Sequence, residues 1–338
     1  MTDESAHRPV VGAVAIGRNE GERLVRCLRS LIGRVARVVY VDSGSTDGSV
    51  ETARKLGAEV IELDTSVPFT AARARNAGWR RLLQVQPDTT LVQFVDGDCE
   101  VVAGWIEQGR DHLAAHETTA VVSGRRRERQ PDATIYNHLV DMEWDTPIGE
   151  ARACHGDAMM RIAVLQQLGG FRDDMIAGEE PELCVRIRAA GWRIMRLDAE
   201  MTRHDAAMSR FGQWWKRNVR AGHAYAEGAA LHGDGPDRHG VRERRSNWVW
   251  GLVMPLIALL AAWPTGGWSL LLLLVYPAQV VRIALGRRRQ GDGTGAAMLY
   301  AVFCVLGKFP QMLGQMKYHM GQWRQRPSTL IEYKGPAT

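Results

Sequence analysis

Two aspartates that end an apolar stretch are the residues of this chain best suited to carry chemistry. Asp96 and Asp98 lie one residue apart in LVQFVDGDCE, residues 91–100. A carboxylate left without a partner in an apolar setting costs several kcal/mol, so a buried strand that ends in two acids needs a counter-charge. Carboxylate oxygens suit Mg²⁺ or Mn²⁺, and these ions bridge the oxygens of a diphosphate. The pair therefore predicts a divalent-metal site, with an Asp-Gly surface turn as the alternative.

The elements around this pair must bring other polar side chains to it. Continuous apolar runs predict buried strands at residues 10–16, 38–41, 59–63 and 90–95. Apolar residues at helical spacing lie between them, and strands that alternate with helices form a parallel sheet covered on both faces. Polar residues follow three of the strands, at 17–20, 42–47 and 96–98. Because ligands bind at the carboxyl ends of such strands, we expect these groups to converge at one edge of the sheet.

The region after residue 100 is less regular. Strands are predicted at residues 120–124 and 192–197. The charged run 125–130 is predicted to be a solvated loop, with a functional site as the alternative. Residues 131–150 show no clear period. The pattern therefore locates only two strands in this region.

A third acid with a role in chemistry stands at the start of a predicted helix. Pro181 favours a helix that begins near Glu180 and ends at Gly191. The helix dipole favours a carboxylate at that end by about 0.3–1 kcal/mol, and a general base must be ionised. Simple helix capping is the alternative. His204 follows in a predicted loop, either as a structural histidine or as a ligand that completes a site begun by Asp98.

Charge and cysteine usage narrow the class of protein. The net charge is +5, and arginines cluster at residues 125–127, 242–245 and 287–289, which suits nucleic acid or anionic lipid as a partner. The five cysteines show no C-x-x-C spacing, so we expect reduced thiols in a cytosolic compartment rather than a disulfide framework or a zinc site. The first nine residues have no apolar core of a secretory signal.

Apolar segments in the last third of the chain predict contact with a membrane. Residues 248–263 and 268–284 are each a little short of the ~20 residues that a spanning helix needs. Arginines flank the pair on both sides and the turn between them is uncharged, which predicts a hairpin with both ends cytoplasmic. A buried helical hairpin of a soluble protein is the alternative. Residues 296–316 are predicted to form an interfacial or re-entrant helix, followed by a polar tail from residue 322.

A tryptophan- and cation-rich stretch precedes these segments. Residues 211–228 include Trp214, Trp215, Lys216 and Arg217. They predict an amphipathic helix, which either covers the site or lies on a bilayer surface.

Several motifs in order resemble the family 2 glycosyltransferases of the GT-A fold. The stretches are VAIGRNE, VVYVDSGSTDGS, ARARNAG, FVDGDCE and GGF…GEEPELCVRIRAAGW, followed by Arg203 and His204. They cover roughly residues 10–205. The resemblance implies an α/β, GT-A-like fold with a mostly parallel twisted sheet flanked by helices, to which the chain adds C-terminal membrane-associated helices.

The same resemblance implies a nucleotide-diphosphate sugar donor, a divalent metal (Mg or Mn) and inversion at the anomeric carbon. It implies donor-binding roles for Arg18, Glu20, Asp42, Arg75 and Asp96, with Glu20 and Asp42 at the nucleoside and Arg75 near the diphosphate. It implies metal ligation by Asp98, with Asp96 and His204 as further candidates.

The family's acidic pair before its last helix is usually Glu-Asp, whereas this chain has Glu179 and Glu180. The resemblance implies that Glu180 is the catalytic base, one methylene longer than usual, with Glu179 as the second candidate. The Gln-x-x-Arg-Trp signature of processive members is not matched by residues 213–217, which favours transfer of one sugar per encounter.

Together these observations predict a membrane-bound hexosyl- or related transferase. Its acceptor would be a hydroxyl of a glycolipid or polyprenyl-linked saccharide, in cell-envelope or exopolysaccharide synthesis at the inner membrane, with the catalytic domain in the cytoplasm. We expect membrane lipid and no nucleic acid as partners. The expected division is a transferase domain at 1–230 (donor half about 10–100, acceptor and base half about 101–230), a linker at 231–246, a hairpin at 247–285 and an interfacial helix with a tail at 286–338.

Two other functions stay open from the residues alone. A sugar-1-phosphate nucleotidyltransferase also combines a metal with an α/β sheet, but it would carry a glycine-rich loop after the first strand. Residues 17–21, GRNEG, are poor in glycine and contain an acid. A membrane scaffold built on a degenerate transferase domain is the other alternative, and the complete set of acids argues against it.

Overall fold

The computed structural model describes residues 8–325, which form two compact units. Within that range, the first unit contains residues 8–131 and 143–207, and the second contains residues 132–142 and 208–325. The expected lack of a signal sequence and most of the polar tail fall on residues 1–7 and 326–338, which lie outside the described residues.

The first half of the first unit alternates strands and helices as the sequence predicts. Its elements are β1 Val11–Gly17, α1 Glu22–Leu31, β2 Val38–Asp42, α2 Ser49–Lys55, β3 Glu59–Glu62, α3 Ala71–Val85 and β4 Leu91–Asp96. The four strands are parallel, in the order β3-β2-β1-β4. Their register places Asp42 beside Gly17 and Asp96 beside Ile16. The polar groups that follow these strands therefore share one edge of the sheet, as expected.

The second half completes a mixed sheet. Its elements are β5 Cys99–Val101, α4 Trp105–Ala115, β6 Thr119–Glu128, β7 Gly149–Glu150, β8 Ala158–Arg161, α6 Ile162–Leu168, α7 Glu179–Ala189 and β9 Arg193–His204. Helix α5 Ile135–Glu143 follows β6 in the chain but belongs, except for Glu143, to the second unit. Strand β8 runs antiparallel to both β4 and β6, whereas β6 and β9 are parallel. The expected α/β class with a mostly parallel first half is confirmed.

Two predictions about this half are wrong. The charged run at 125–130 is not a loop, because β6 continues to Glu128 with Arg125 and Arg126 buried. His204 is the last residue of β9, opposite Cys99 and Glu128, rather than part of a loop. The charged residues inside these strands are paired with charged groups from other elements, which makes their burial possible. The predictions placed the end of each strand where its apolar run ends, so they missed the charged part of the strand.

Helix α5 was also not predicted, because its apolar face contains a polar residue. Asn137 is buried on the same helix as Leu139, Val140 and Met142, and its Oδ1 accepts a hydrogen bond from the backbone N–H of Met208 at 3.2 Å. Both residues belong to the second unit. Because this amide is hydrogen-bonded, its burial is compatible with the helix. It nevertheless interrupts the helical spacing of apolar residues on which the sequence prediction depends.

The core of the first unit lies on both faces of the sheet. On one face Val14, Phe94 and Leu183 belong to a buried cluster that includes residues of α3 and α7. On the other face Leu28 and Trp105 belong to a cluster that includes residues of α1 and α4. The two clusters fix the carboxyl ends of the strands in place.

The second unit is helical apart from its turns. It contains α8 Phe211–His232, α9 Val241–Trp248, a π-helical turn Val249–Val253, α10 Met254–Leu260, a 3₁₀ segment Trp268–Leu274, α11 Val275–Arg289, α12 Thr294–Leu306 and α13 Lys308–Trp323. Only residues 233–240 of the predicted linker 231–246 lie outside its helices.

Helices α8 and α13 approach each other closely through two glycines. A Cβ atom on Gly222 would lie 1.9 Å from the carbonyl oxygen of Gln311, and one on Gly314 would lie 1.9 Å from that of Val219. No side chain fits in such a space, so the two backbones are in direct contact. Gln311 Nε2 also donates to Asn218 Oδ1 at 2.9 Å, which adds a polar contact to this seam.

Two helical stretches of the described chain are long and apolar enough to cross a membrane, Trp268–Arg289 and Thr294–Trp323. The first contains the second arm of the predicted hairpin. The other contains residues 296–316, which were expected to be interfacial or re-entrant. The predicted first arm, residues 248–263, lies in shorter helical segments. Only 6% and 28% of the two apolar windows are buried in the fold, so most of their side chains face outward.

Candidate active site

Asp42 ends β2 as a fully hydrogen-bonded carboxylate. It accepts from the backbone N–H groups of Gly44 and Ser45 at 2.8 and 2.7 Å, and from the Tyr40 hydroxyl at 2.8 Å. Gly44 has φ 90°, a conformation that glycine adopts without strain, and this turn aims the two N–H groups at the acid. Burial and the neighbouring Asp42 raise the pKa of Tyr40, so its hydroxyl remains a donor.

The loops after β1 and β2 are tied into one rim. Thr46 N–H donates to Asn19 Oδ1 at 2.7 Å, and Gly21 N–H donates to Asp47 Oδ2 at 3.0 Å. Asn19 has a positive φ of 54°, which is uncommon for a residue other than glycine and frequent at ligand-binding loops. The rim therefore joins residues 17–20 to residues 42–47, as the sequence predicts.

Two predicted donor-binding residues lie on the loop after β1. Glu20 forms an ion pair with Arg23 at 2.9 Å. Arg18 lies over the ring of Phe69, with its guanidinium carbon 4.9 Å from the ring centre. Both side chains therefore have defined partners, one in the first turn of α1 and one on the segment before α3.

Arg75 of α3 links the two halves of the first unit. Its Nη2 lies 2.8 Å from Asp96 Oδ1, and its Nη1 lies 2.6 Å from Glu179 Oε1. Burial opposes the charge on this guanidinium, but Asp96 and Glu179 outweigh that effect and raise its pKa. A Cβ on Gly156 would lie 2.6 Å from Nη2, so the glycine lets the backbone pass close to the guanidinium. One buried cation thus joins the acid that ends β4 to the acid that begins α7.

A second arginine–aspartate pair lies at this edge and was not predicted from the sequence. Arg126 lies 3.2 Å from Asp96 Oδ2 and 3.5 Å from Asp157 Oδ2, with its guanidinium 4.8 Å from the ring centre of Trp144. Asp157 is fully buried, and it accepts from the Asp96 N–H and the Thr202 hydroxyl, each at 2.9 Å. Asp157 directly precedes the apolar strand β8, and an acid beside an apolar run was the signal that identified Asp96.

Asp98 and His204 meet across β5 and β9. His204 Nε2 lies 3.3 Å from Asp98 Oδ2, and its Nδ1 lies 3.5 Å from Glu128 Oε2. The edge of Trp144 packs against the imidazole, with ring centres 4.6 Å apart. Burial and the nearby Arg126 lower the pKa of His204, although Glu128 acts in the opposite direction. The imidazole is therefore neutral at neutral pH.

This arrangement fits a divalent cation. A neutral imidazole has one N–H, so it donates to only one of the two carboxylates, and its other nitrogen presents a lone pair to the second. A cation between Asp98 and His204 would turn that repulsion into coordination while Glu128 holds Nδ1–H. Ligand atoms of Asp98, Cys99 and His204 lie within 4.8 Å of one another. Asp96 falls instead into a group with Cys99 and Asp157.

Glu180 lies in the first turn of α7, as predicted, and is held by cysteines. Its Oε1 accepts from the Cys154 N–H at 2.6 Å and from the thiols of Cys154 and Cys184 at 3.1 Å each. Burial raises the pKa of both thiols, that of Cys184 to about 11, so both remain protonated donors. All three contacts fall on one oxygen, and they fix the orientation of the carboxyl group. Within the described residues, none of the cysteines forms a disulfide.

The structure gathers most of the predicted residues into one connected network. The connected residues are Asp96, Asp98, Arg75, Glu179, Glu180 and His204, which are joined by ion pairs or lie close to each other in the chain. Asp42 lies on the same edge of the sheet. A shared edge with acids, a buried arginine and a neutral imidazole can bind a metal-bound diphosphate and activate a hydroxyl group.

Comparisons with known proteins agree with this geometry. The model of the glycosyl transferase family 2 matches residues 14–166. Glycosyltransferase AglE of Haloferax volcanii is 24% identical over 227 residues, which are 63% of this chain and 72% of AglE. The succinoglycan biosynthesis protein ExoA of Rhizobium meliloti is 28% identical over 189 residues, 52% of this chain. The alignment spans only 56% of ExoA.

A solved structure shares the fold. The mannosyltransferase PcManGT from Pyrobaculum calidifontis, in complex with GDP-Man and Mn²⁺, superimposes with a TM-score of 0.51 at 20% identity and covers 95% of this chain and 87% of its own. The alternatives of a nucleotidyltransferase and of a non-catalytic scaffold find no support in these matches. The chain is a glycosyltransferase of the GT-A-like fold, and its residues 14–166 match glycosyltransferase family 2.

Proposed function

We propose that this enzyme transfers a sugar from a nucleotide-diphosphate sugar to a hydroxyl group of a membrane-linked acceptor, with inversion and with the help of a divalent cation. The observation that carries the proposal is the position of Arg75 between Asp96 and Glu179. It joins the edge that would hold the donor to the helix that would carry the base, so both halves of the reaction share one site.

The donor would lie along the edge formed by β2, β1 and β4. Asp42 and Glu20 would face the nucleoside, with Arg18 on the same loop, and Asp96 would face the ribose or the metal. Arg75 would lie near the diphosphate, because its fixed positive charge can stabilise negative charge on the leaving phosphate oxygens. Hydrogen bonds from the turn after β2 keep Asp42 in position before any donor arrives.

Asp98 and His204 would hold the cation. Bound Mg²⁺ or Mn²⁺ would supply Lewis-acid stabilisation of the departing diphosphate. Glu128 and Trp144 orient the imidazole of His204, and Arg126 and Asp157 fix the backbone and carboxylate of Asp96.

Glu180 would be the general base, with Glu179 as the second candidate. It would take the proton of the acceptor hydroxyl as the acceptor oxygen forms a bond to the anomeric carbon. On the opposite face the bond from that carbon to the phosphate oxygen breaks, and the nucleoside diphosphate leaves. The contacts of Glu180 Oε1 with Cys154 and Cys184 would leave the base function to Oε2. Glu179, by contrast, forms an ion pair with Arg75.

The proposed acceptor follows from the apolar stretches of the second unit. Its apolar stretches Trp268–Arg289 and Thr294–Trp323 would hold the enzyme at the inner membrane, close to a lipid-linked saccharide. Arginines 287–289 would lie on the cytoplasmic side, where basic residues accumulate. A role in cell-envelope or exopolysaccharide synthesis is consistent with the name of ExoA, the succinoglycan biosynthesis protein.

Single substitutions test the mechanism. The Asp98→Asn and Glu180→Gln variants would be purified in detergent and assayed with a panel of nucleotide sugars and a lipid-linked acceptor. We expect Glu180→Gln to reduce turnover by roughly 10²–10⁴-fold while donor binding persists, because the base acts on the acceptor. Asp98→Asn should weaken binding of the donor itself. Full activity in both variants would exclude this mechanism.

A further inference from the structure

The second unit contains an apolar groove with two lysines at its rim. It lies between α8 and α13 and has a volume of about 400 Å³. Its wall includes Trp215 and Val219 of α8 and Leu313 and Met316 of α13, and Lys216 and Lys317 carry its charge. The groove is therefore apolar inside and cationic at its edge.

The groove is a fixed feature of the helix pair. Val219 lines it, and the carbonyl of the same residue touches Gly314, so one wall continues directly into the glycine contact between the helices. Met316 and Lys317 follow Leu313 by three and four residues, which places all three on one face of α13. The close backbone contact fixes the spacing of the two helices beside the groove.

The two lysines are exposed. Neither Lys216 nor Lys317 forms an ion pair with a carboxylate within the described part of the chain. Two ammonium groups beside an apolar wall attract an anion that carries an apolar tail. Lysine binds phosphate as a point charge, and a phosphate would relieve the repulsion between the two cations.

Charge and surroundings favour one kind of occupant. The volume of about 400 Å³ lies within the range of small-molecule pockets. The exposed apolar stretches of the same unit place the groove where lipids are available. A lipid that carries a phosphate would match both the apolar wall and the two lysines.

We propose that this groove binds an isoprenoid lipid phosphate, with the chain against Trp215, Val219, Leu313 and Met316 and the phosphate between Lys216 and Lys317. The inference rests on the proposed function, because this lipid would be the carrier of the acceptor saccharide. It adds a recognition site for that carrier in the helical unit, separate from the residues proposed to act on the sugar.

Photo-crosslinking tests the groove without any sugar transfer. The full chain would be placed in nanodiscs of neutral phosphatidylcholine and irradiated with a diazirine-bearing farnesyl phosphate, and the labelled peptides would be mapped by mass spectrometry. We expect labels in residues 211–220 and 313–320. The Lys216→Glu/Lys317→Glu variant should lose labelling by roughly tenfold. The Arg289→Glu variant, a charge reversal on exposed α11, should label like the unmodified protein.

Matched probes separate the occupants. Equal labelling by the diazirine-bearing farnesol would show an apolar groove that does not recognise phosphate. Full competition by inorganic phosphate alone would show an anion site that does not recognise the chain. Either result, labels confined to other segments, or no effect of the charge reversal would overturn the proposal.

Activity assays distinguish failure of the groove from failure of the proposed function. The double variant should raise KM for the lipid-linked acceptor and leave kcat and metal-dependent donor binding unchanged. If Glu180→Gln keeps full activity while crosslinking behaves as expected, the mechanism fails and the groove stands. If crosslinking fails while Glu180→Gln is inactive, the groove fails and the mechanism stands.

Discussion

At the scale of single residues, the site is a set of acids held by two buried arginines. Arg75 and Arg126 both pair with Asp96, and Arg126 also faces Asp157. Buried carboxylates in such numbers are tolerated because each is hydrogen-bonded or ion-paired. The acids keep a fixed geometry before any ligand binds, which is what electrostatic catalysis requires.

Arg126 and Arg127 offer a matched comparison of a buried and an exposed charge. Arg126→Met would leave the fully buried Asp157 and the carboxylate of Asp96 without this cation, and we expect a loss of about 3–5 kcal/mol of stability. Arg127 pairs with Glu200 at the surface, where both side chains are more than 40% exposed, so Arg127→Met should cost about 0–1 kcal/mol. Thermal melting of both variants checks the difference, and equal melting temperatures would contradict the assigned role of Arg126.

Glu128 is expected to act on the metal through His204. Glu128→Gln keeps an oxygen that can accept from the Ala206 N–H but removes the charge beside His204 Nδ1. Loss of such a partner typically lowers metal affinity by about 10–100-fold. A titration with Mn²⁺, monitored by electron paramagnetic resonance, measures this metal affinity. Glu200→Gln, at the surface of β9, serves as the control, and an equal response of both variants would speak against coordination by His204.

The residues that were predicted correctly and those that were missed differ in one physical respect. Asp42, Asp96 and Asp98 follow apolar runs, so their positions can be read from local pattern alone. Arg126 and Asp157 lie inside or just before strands and are stabilised by each other, by Asp96 and by other residues distant in sequence. That pairing arises from tertiary contacts, and no window of adjacent residues contains it.

At the scale of elements, parallel strands gather the site and a helix pair builds the groove. The apolar runs of β1, β2 and β4 predicted the centre of the first half of the sheet, because strands buried on both faces must be apolar throughout. The edge strand β3 is only partly buried. The second half was harder to predict because β6 carries buried charges and α5 a buried amide. These elements depend on partners that are distant in sequence.

The contact between α8 and α13 has no room for a side chain. Gly314→Ala would place a Cβ 1.9 Å from the carbonyl oxygen of Val219, so the helices must separate and the unit should lose stability. Gly286→Ala, in the open face of α11, meets nothing within 4 Å and should be neutral or stabilising by up to about 1 kcal/mol. Melting of both variants in the same detergent provides the test. A Gly314→Ala protein as stable as Gly286→Ala would refute the tight seam.

At the scale of the whole molecule, the chain combines a transferase unit with a helical unit that exposes long apolar surfaces. Trp263 and Trp268 are 94% and 75% exposed at the ends of the uncharged turn 264–267, and tryptophan is enriched at membrane interfaces. The arginines at residues 287–289 form the other end of the apolar stretch Trp268–Arg289 and make that end basic. This asymmetry supports an orientation with the turn away from the cytoplasm.

Cysteine labelling in intact cells tests that orientation. In a Cys304→Ser background, Gly266→Cys should react with a membrane-impermeant maleimide, whereas Arg289→Cys should react only after the cells are permeabilised. The uncharged turn would cross the membrane and the basic segment would not. Reaction of both positions in intact cells, or of neither, would show that the proposed orientation is wrong.

The most direct test of the central claim is calorimetric titration of the detergent-solubilised enzyme with UDP and GDP, with and without Mn²⁺. If Asp98 and His204 hold a cation against the departing diphosphate, one of the two nucleotides should bind only when Mn²⁺ is present. Asp98→Asn should abolish that binding, and Glu180→Gln should retain it. Equally tight binding without Mn²⁺, or in Asp98→Asn, would contradict the account.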